Sequence, residues 1–280
     1  MAKFISEISS NHNNNLKRSL KMVKVSSEIG FDIVKFQLFK IDKLFSNEIL
    51  RKSKKHRERK KWELKEKHIP LISKYCKKNK IKFCVTPFYL EAVDIIKPYV
   101  DYIKIASYEI LWKDLLIKCA KTKKPIIIST GMANMKEVKN AINILKKNGA
   151  KKIVILHCVS NYPAKLESLN LSAINTLRRK TKLDIGWSDH SAKSLVVYKA
   201  IQKWRASYVE MHIDLDGKGV EYKNGHCWLP KNAKELINFV KKDKLVDGHG
   251  HKKPNFMEMS ERKFRADKID GLRPIKKYRK

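Results

Sequence analysis

The sequence predicts an α/β chain folded as a closed (β/α)8 barrel. Three observations carry that expectation. Eight short β-rich runs alternate with eight helical patterns. The runs are nearly continuous in apolar residues, as parallel strands buried on both faces must be. The G-x-G-x-x-G phosphate fingerprint of a doubly wound open sheet, the runner-up arrangement, is absent.

The elements follow in order. Phe4–Ile8 is the first strand, and the polar loop Ser9–Asn13 leads to a helix near 15–29 that Gly30 caps. Asp32–Gln37 is the second strand. A long insertion over 40–60 follows, ending in the basic run Lys52 to Lys61, and then a helix over roughly 62–78. Ile81–Val85 is the third strand, stopped by Thr86-Pro87-Phe88, with a short helix over 89–97. Tyr102–Ala106 and a helix over 111–121 come next, then Pro125–Ser129 and a helix over 135–147 closed by Asn148-Gly149. Ile153–His157 precedes a helix over 168–179. The seventh strand ends at Trp187, before a helix over 192–204, and the eighth ends at His212, before a glycine-rich loop and a helix over 231–243. No low-complexity linker interrupts this series. Residues 1–245 are therefore read as one barrel domain and 246–280 as a basic C-terminal extension.

Composition bounds the partners. Lys and Arg number 63 against 28 Asp and Glu, a net charge of +35, which points first to nucleic acid or an anionic membrane. The lysines are spread through every helical segment rather than gathered on one stripe, Asn and Ile are abundant, and Arg is much rarer than Lys. That is the pattern of lysine-favouring base composition, so nucleic acid is not the expected partner; a milder use of the field is to attract anionic metabolites. The five cysteines are odd in number and form no C-x-x-C pair, which argues for reduced thiols and a cytoplasmic location. The N-terminus carries no apolar signal-peptide region, and no apolar stretch approaches the length of a bilayer span.

The chemistry gathers at the carboxyl ends of the strands, where barrels of this kind work. Those ends carry Glu7; Lys35 and Gln37; Thr86; Lys104, Ser107 and Glu109; Ser129 and Thr130; His157, Ser160 and Asn161; Ser188, Asp189 and His190; and Glu210 and His212. Polar groups collected at one end are expensive to bury unless they meet a polar ligand. A single lysine or glutamate there would be an ordinary salt bridge, but repetition on every strand argues for a site. Lys35 and Lys104, with the hydroxyls of Thr86, Ser107, Ser129 and Ser160, read as an anion cradle. His190, in Gly186-Trp187-Ser188-Asp189-His190-Ser191, and His212 suit a divalent metal with positions left open for substrate. Glu7, Glu109 and Glu210 are acid/base candidates. Cys158 and Cys227 lack a Cys/His nucleophile setting and are set aside.

Seven motifs, in this order along the chain, resemble one family. They are Glu7–Asn13, Val34-Lys35-Phe36-Gln37, Thr86-Pro87-Phe88, Lys104-Ile105-Ala106-Ser107, Ser129-Thr130-Gly131-Met132, Leu156–Pro163 and Gly186–His190. The chain resembles the sialic acid (N-acetylneuraminate) synthases from residue 3 to about 230. The resemblance implies a TIM barrel, a homodimer, and condensation of phosphoenolpyruvate with N-acetylmannosamine or a related amino sugar to a nine-carbon 2-keto acid and phosphate. It implies phosphoenolpyruvate contacts at Lys35, Thr86, Lys104, Ser107, Ser129 and Ser160, sugar contacts at Gln37 and Tyr162 beside Ser188 and Asp189, and proton transfer at Glu7 and Glu109. His190 and His212 would hold Mn²⁺, with Mg²⁺ or Co²⁺ as alternatives. The departures lie at the C-terminal side. The family's Gly-Pro-Asp after the second histidine is missing, its sugar-binding aspartate falls on Lys223, and Glu221 or His226 stands as the replacement. The family's antifreeze-like domain is expected to be absent.

Two other readings compete: a phosphoenolpyruvate synthase with a different aldose acceptor, and a non-catalytic basic binding protein on the same barrel. The last predicts clustered Arg and aromatic residues on one face, which the sequence lacks. In a mobility-shift titration at physiological salt, the chain is expected to bind DNA and RNA no tighter than the non-specific range of roughly 10⁻⁴ to 10⁻⁶ M. Tighter, steeply salt-dependent binding would restore the binding-protein reading.

Overall fold

Eight parallel strands close into a barrel in the order β1 to β8 in the computed structural model, which describes residues 2–279; Met1 and Lys280, part of the expected N-terminus and extension, lie outside them. The strands are β1 (Lys3–Ser9), β2 (Ile33–Leu38), β3 (Lys82–Pro87), β4 (Tyr102–Ile105), β5 (Ile126–Ser129), β6 (Ile153–His157), β7 (Asp184–Asp189) and β8 (Tyr208–His212). β1 pairs with both β2 and β8, which closes the sheet and leaves no edge. The (β/α)8 expectation holds.

Helices follow the strands, as expected. α1 (Leu16–Ile29) starts where the Asn15 side chain accepts from the Arg18 N–H. It ends at Gly30, whose φ of 102° lies in the left-handed region and whose N–H reaches the carbonyls of Ser26 and Ser27. Several boundaries differ from the sequence reading; the helix expected from 168, for one, starts at Ala173. The insertion after β2 folds as α2 (Ile41–Leu44), α3 (Asn47–Lys52), α4 (Lys54–Arg57) and a 3-10 turn through Trp62. The next helix, α5 (Ile69–Lys78), starts later than 62, because Pro70 is tolerated only in a first helical turn. β7 runs on through Asp189, so Ser188 and Asp189 are strand residues rather than loop residues. The remaining helices are α6 (Leu90–Ile96), α7 (Lys113–Lys121), α8 (Met135–Lys147), α9 (Ala173–Thr181), α10 (Ser194–Gln202) and α11 (Pro230–Asp247).

Strand alternation divides the core in two. Side chains of one parity, among them Phe4, Val34, Phe83, Ile103, Ile128, Ile155, Trp187 and Val209, pack outward against the helices. The other parity points inward, where Ile5, Ile33, Cys84, Ile127, Val154, Leu156 and Tyr208 fill the lower barrel. This inner plug is the floor on which the site stands.

The chain divides into two compact units, one up to Lys241 and one from Lys242 onward, a division that falls within α11. The second unit is a set of 3-10 turns (Phe256–Glu258, Glu261–Phe264, Lys276–Tyr278) tied by an Asp270–Arg279 ion pair and by Asp267, which accepts from the N–H groups of Ile269 and Lys276. All five cysteines are free and buried. Among the described residues no helix is long and apolar enough to cross a membrane.

Trp187 is the largest fully buried side chain, between the barrel wall and the helices. Trp187→Ala is expected to cost about 3–5 kcal/mol in urea unfolding followed by circular dichroism. A loss under about 1 kcal/mol would mean the helix layer repacks freely there.

Candidate active site

Inward positions above the apolar plug become polar at one level. Two residues above Ile5 stands Glu7; above Ile33, Lys35; above Cys84, Thr86; above Ile127, Ser129; above Tyr208, Glu210 and then His212. Parallel pairing holds Glu7 beside both Lys35 and His212, and Ser188 beside Glu210. A cavity at this end is lined by Glu7, Lys35, Gln37, Lys104, Ala106, Ser107, Tyr108, Ser129, Cys158, Tyr162, Ser188, His190, Glu210 and His212. Most residues singled out in the sequence therefore meet on one surface. A wider hollow in the second unit, lined by Lys252, Lys253, Glu258, Arg262 and Arg265, mixes charges in an open setting and is no rival to it.

Four buried charges dominate the floor. Lys35 makes an ion pair with Glu7 and lies 3.6 Å from Glu210 Oε2, while Lys104 Nζ lies 3.4 Å from Glu210 Oε1. All four side chains are 1–4% exposed, which isolated charges could not be. Burial alone would raise the Glu210 carboxyl, yet Lys104 and Lys35 hold it down at about 2, and Ser188 Oγ donates to it at 2.9 Å. Burial pushes Lys35 down to about 8, with Lys104 adding to the effect and Glu210 opposing it. Thr86 stands behind Lys35 and accepts from its Nζ at 3.4 Å.

The hydroxyl side of the cavity is built around Gly131. Its N–H donates to Ser107 Oγ at 3.0 Å, and a Cβ there would run into Ser160 Oγ and come within 2.9 Å of Ser107 Oγ. Only glycine leaves that niche open. Ser129 Oγ and Ser160 Oγ are buried without a hydrogen-bond partner among the described residues, as is Glu109 Oε2. Burial pushes the Glu109 carboxyl up to about 7, against the opposing pull of Lys104.

The histidines lie opposite. His190 Nδ1–H donates to the Val159 carbonyl at 2.6 Å, which leaves Nε2 as the lone-pair nitrogen. Burial, with His212 adding, lowers His190 to about 3, so the ring is neutral. The His190 and His212 rings are 5.4 Å apart, and His212 Nδ1 lies 3.1 Å from Glu221 Oε2. Neutral imidazoles oriented through their other nitrogen are fit ligands for a divalent ion.

Two residues expected as sugar contacts, Asp189 and Glu221, are engaged with other protein groups. Asp189 belongs to the outward parity. Its carboxylate accepts from Ser191 N and Oγ, from Ala192 N, and from the indoles of Trp187 and Trp228, so it braces the strand from outside the cavity. Glu221 is engaged by Ser9 Oγ, His212 and His226 and does not line the cavity; burial would raise its carboxyl, but these donors hold it well below the usual carboxylate range. Sequence reading set aside Cys158, which lies on the wall with Sγ 3.2 Å from Ser107 Oγ, and passed over Tyr108. Tyr108 lies outside the motifs, and Cys158 lies within Leu156–Pro163 but has no assigned role there.

The pattern of the NeuB family matches residues 22–252. The chain belongs to the NeuB family. The resemblance to sialic acid synthases read from the motifs is thereby borne out. An N,N'-diacetyllegionaminic acid synthase of Campylobacter jejuni is 34% identical over 98% of this chain and 85% of its own length. A pseudaminic acid synthase of the same organism is 30% identical over 88% of this chain and 75% of its own. Among solved structures, an N-acetylneuraminic acid synthetase of Leptospira borgpetersenii in complex with citrate superposes with a TM-score of 0.80 at 29% identity, over 93% of this chain and 90% of that one.

Glu109 gives this NeuB-family site a pH signature. Its carboxyl moves from the ordinary 4.5 to about 7 on folding, so the folded state holds the proton more tightly. The proton-linked stability is fully present below about pH 4.5 and is lost as pH rises through 7, on the order of 3 kcal/mol in all. Glu109→Gln should therefore gain stability over the wild type progressively from pH 5 to 8 in thermal melts. A difference that does not vary with pH would show an unperturbed carboxyl.

Proposed function

We propose that the chain condenses phosphoenolpyruvate with the open-chain form of an N-acetylated amino sugar, N-acetylmannosamine-like, to give a nine-carbon 2-keto sugar acid and inorganic phosphate. The observation that carries this reading is the floor of the cavity: two buried lysines and serine hydroxyls with no partner among the described residues lie at the same end as His190 and His212. A small, multiply charged anion answers that arrangement, and membership of the NeuB family supports the same choice. Lys35 and Lys104 would hold the phosphate and carboxylate, with Ser107, Ser129 and Ser160 donating to their oxygens and Thr86 positioning Lys35. Gln37, Tyr162 and Ser188 would face the sugar.

Carbon 3 of phosphoenolpyruvate attacks the aldehyde carbon, water adds at carbon 2, and phosphate leaves with the C–O bond electrons. Glu109, protonated near neutral pH, is suited to donate to the developing alkoxide. Glu7, ion-paired with Lys35, would accept the proton of the attacking water. A divalent ion held by His190 and His212, Mn²⁺ above all, would supply Lewis-acid polarisation of the carbonyl. The acceptor is set by the loop after β8. The relatives named above make different sugar acids, and Lys223, at the position of the family's sugar-binding aspartate, is exposed. That exposure favours, as a second reading, a different aldose acceptor on the same phosphoenolpyruvate chemistry.

Phosphate release from phosphoenolpyruvate with Mn²⁺, across a panel of N-acetylated hexosamines and plain aldoses, tests both readings. Release with an N-acetylated acceptor supports the first, release with plain aldoses alone supports the second, and no release with any acceptor overturns both. Lys104→Ala should lower kcat/KM by about 10²-fold, equivalent to about 2.7 kcal/mol of transition-state binding.

A further inference from the structure

The loop after β8, where the chain leaves the family pattern, is pinned to the barrel. Trp228 N–H donates to the His212 carbonyl at 2.7 Å and Asp214 N–H to the Trp228 carbonyl at 3.0 Å, so the chain returns alongside the end of β8. Arg18 clamps Asp214 and Asp216, and Asn11 Oδ1 accepts from the Glu221 N–H. This return places His226 beside His212, with rings 4.7 Å apart, and His226 is only 2% exposed. Its Nδ1 is buried with no hydrogen-bond partner among the described residues, and its Nε2 lies 3.6 Å from Glu221 Oε2. One ligand atom each from His212, Glu221, His226 and Cys227 falls within 4.8 Å of the others. Ligand bonds of about 2.0–2.2 Å put the donors of one tetrahedral ion about 3.4 Å apart, so the group would close by up to about 1.4 Å around an ion. Cys227 is the least suited of the four, because burial keeps its thiol protonated up to about 12 and Asn11 Nδ2 donates to its sulfur.

We infer that Glu221 and His226 are ligands, with His212, of the divalent ion at this mouth, and that their nitrogen-rich set selects a first-row transition ion over Mg²⁺. The inference rests on the metal reading above and extends it to two residues that the family pattern does not supply. Imidazole donors suit Zn²⁺, Co²⁺ and similar ions, whereas Mg²⁺ keeps to oxygen ligands and water. A carboxylate that merely bridged two imidazoles by hydrogen bonds would orient His212 without touching an ion, and the test separates the two roles.

The experiment is calorimetric titration of the chelator-stripped full chain with Co²⁺, Zn²⁺ or Mg²⁺ alone, together with the visible absorption of the Co²⁺ form. Wild type should bind one Co²⁺ or Zn²⁺ and take up Mg²⁺ at least about 10²-fold more weakly. His226→Ala and Glu221→Gln should each weaken Co²⁺ binding by at least about 10²-fold and shift its visible bands, and imidazole added to His226→Gly should restore them. Weaker binding with unchanged bands would overturn the ligand assignment in favour of an orienting role. Unchanged affinity in His226→Ala, with binding lost in His212→Ala, would also overturn it, while leaving the synthase proposal intact. No binding of any ion by the wild type overturns the inference as well; phosphate release measured with excess chelator then judges the synthase reading separately.

Discussion

Everything at the mouth of this barrel depends on charges that have been taken out of water together. Glu7, Lys35, Lys104 and Glu210 are nearly inaccessible, and any one of them alone would cost several kcal/mol to bury. As a set of two lysines and two glutamates they offset one another. The compensation leaves the floor folded and polar without a bound ligand, and it leaves the lysines aimed at the cavity. What it does not satisfy is equally informative: the hydroxyls of Ser129 and Ser160 and one oxygen of Glu109 have no partner among the described residues. Buried polar atoms in that condition are the ones a ligand is expected to meet.

The same alternation that gathers these groups explains why Asp189 is not among them. Along β7 the inward positions are Gly186, which has no side chain, and Ser188, and the outward side chains are those of Trp187 and Asp189. An aspartate one step from the site is therefore fully buried on the wrong face, and its carboxylate ties the Trp187 indole to that of Trp228. The tie matters to the site indirectly, because Trp228 anchors the returning loop whose Glu221 and His226 reach His212. The chain's departure from its family and the geometry of its histidines thus share one support.

Legibility followed periodicity. Long apolar runs gave the strands, their number gave the barrel, and the polar residues at their ends gave most of the cavity wall. Where the reading failed, a one-residue difference or a long-range contact decided the outcome. Pro70 moved the start of α5, and two extra residues in β7 turned a presumed loop cluster into strand. Glu221, nine positions beyond His212, could be read from the sequence as a sugar contact; its partners Ser9 and Ser10 lie at the other end of the chain. Cys158 sits within the Leu156–Pro163 motif without a nucleophile setting, and it reaches the wall because it follows β6, which lies between β5 and β7.

The sequence by itself determined the fold class, the family and the chemical character of the site, because strand periodicity and short ordered motifs are local and survive without coordinates. Only the tertiary structure decided which side chains face the cavity, which carboxylates are already engaged, and which histidines lie together. Those properties depend on the parity of a residue in its strand and on contacts between segments some two hundred residues apart, such as Ser9 with Glu221 and Asn11 with Ile213. Burial then sets the protonation of each group according to the partners it finds there.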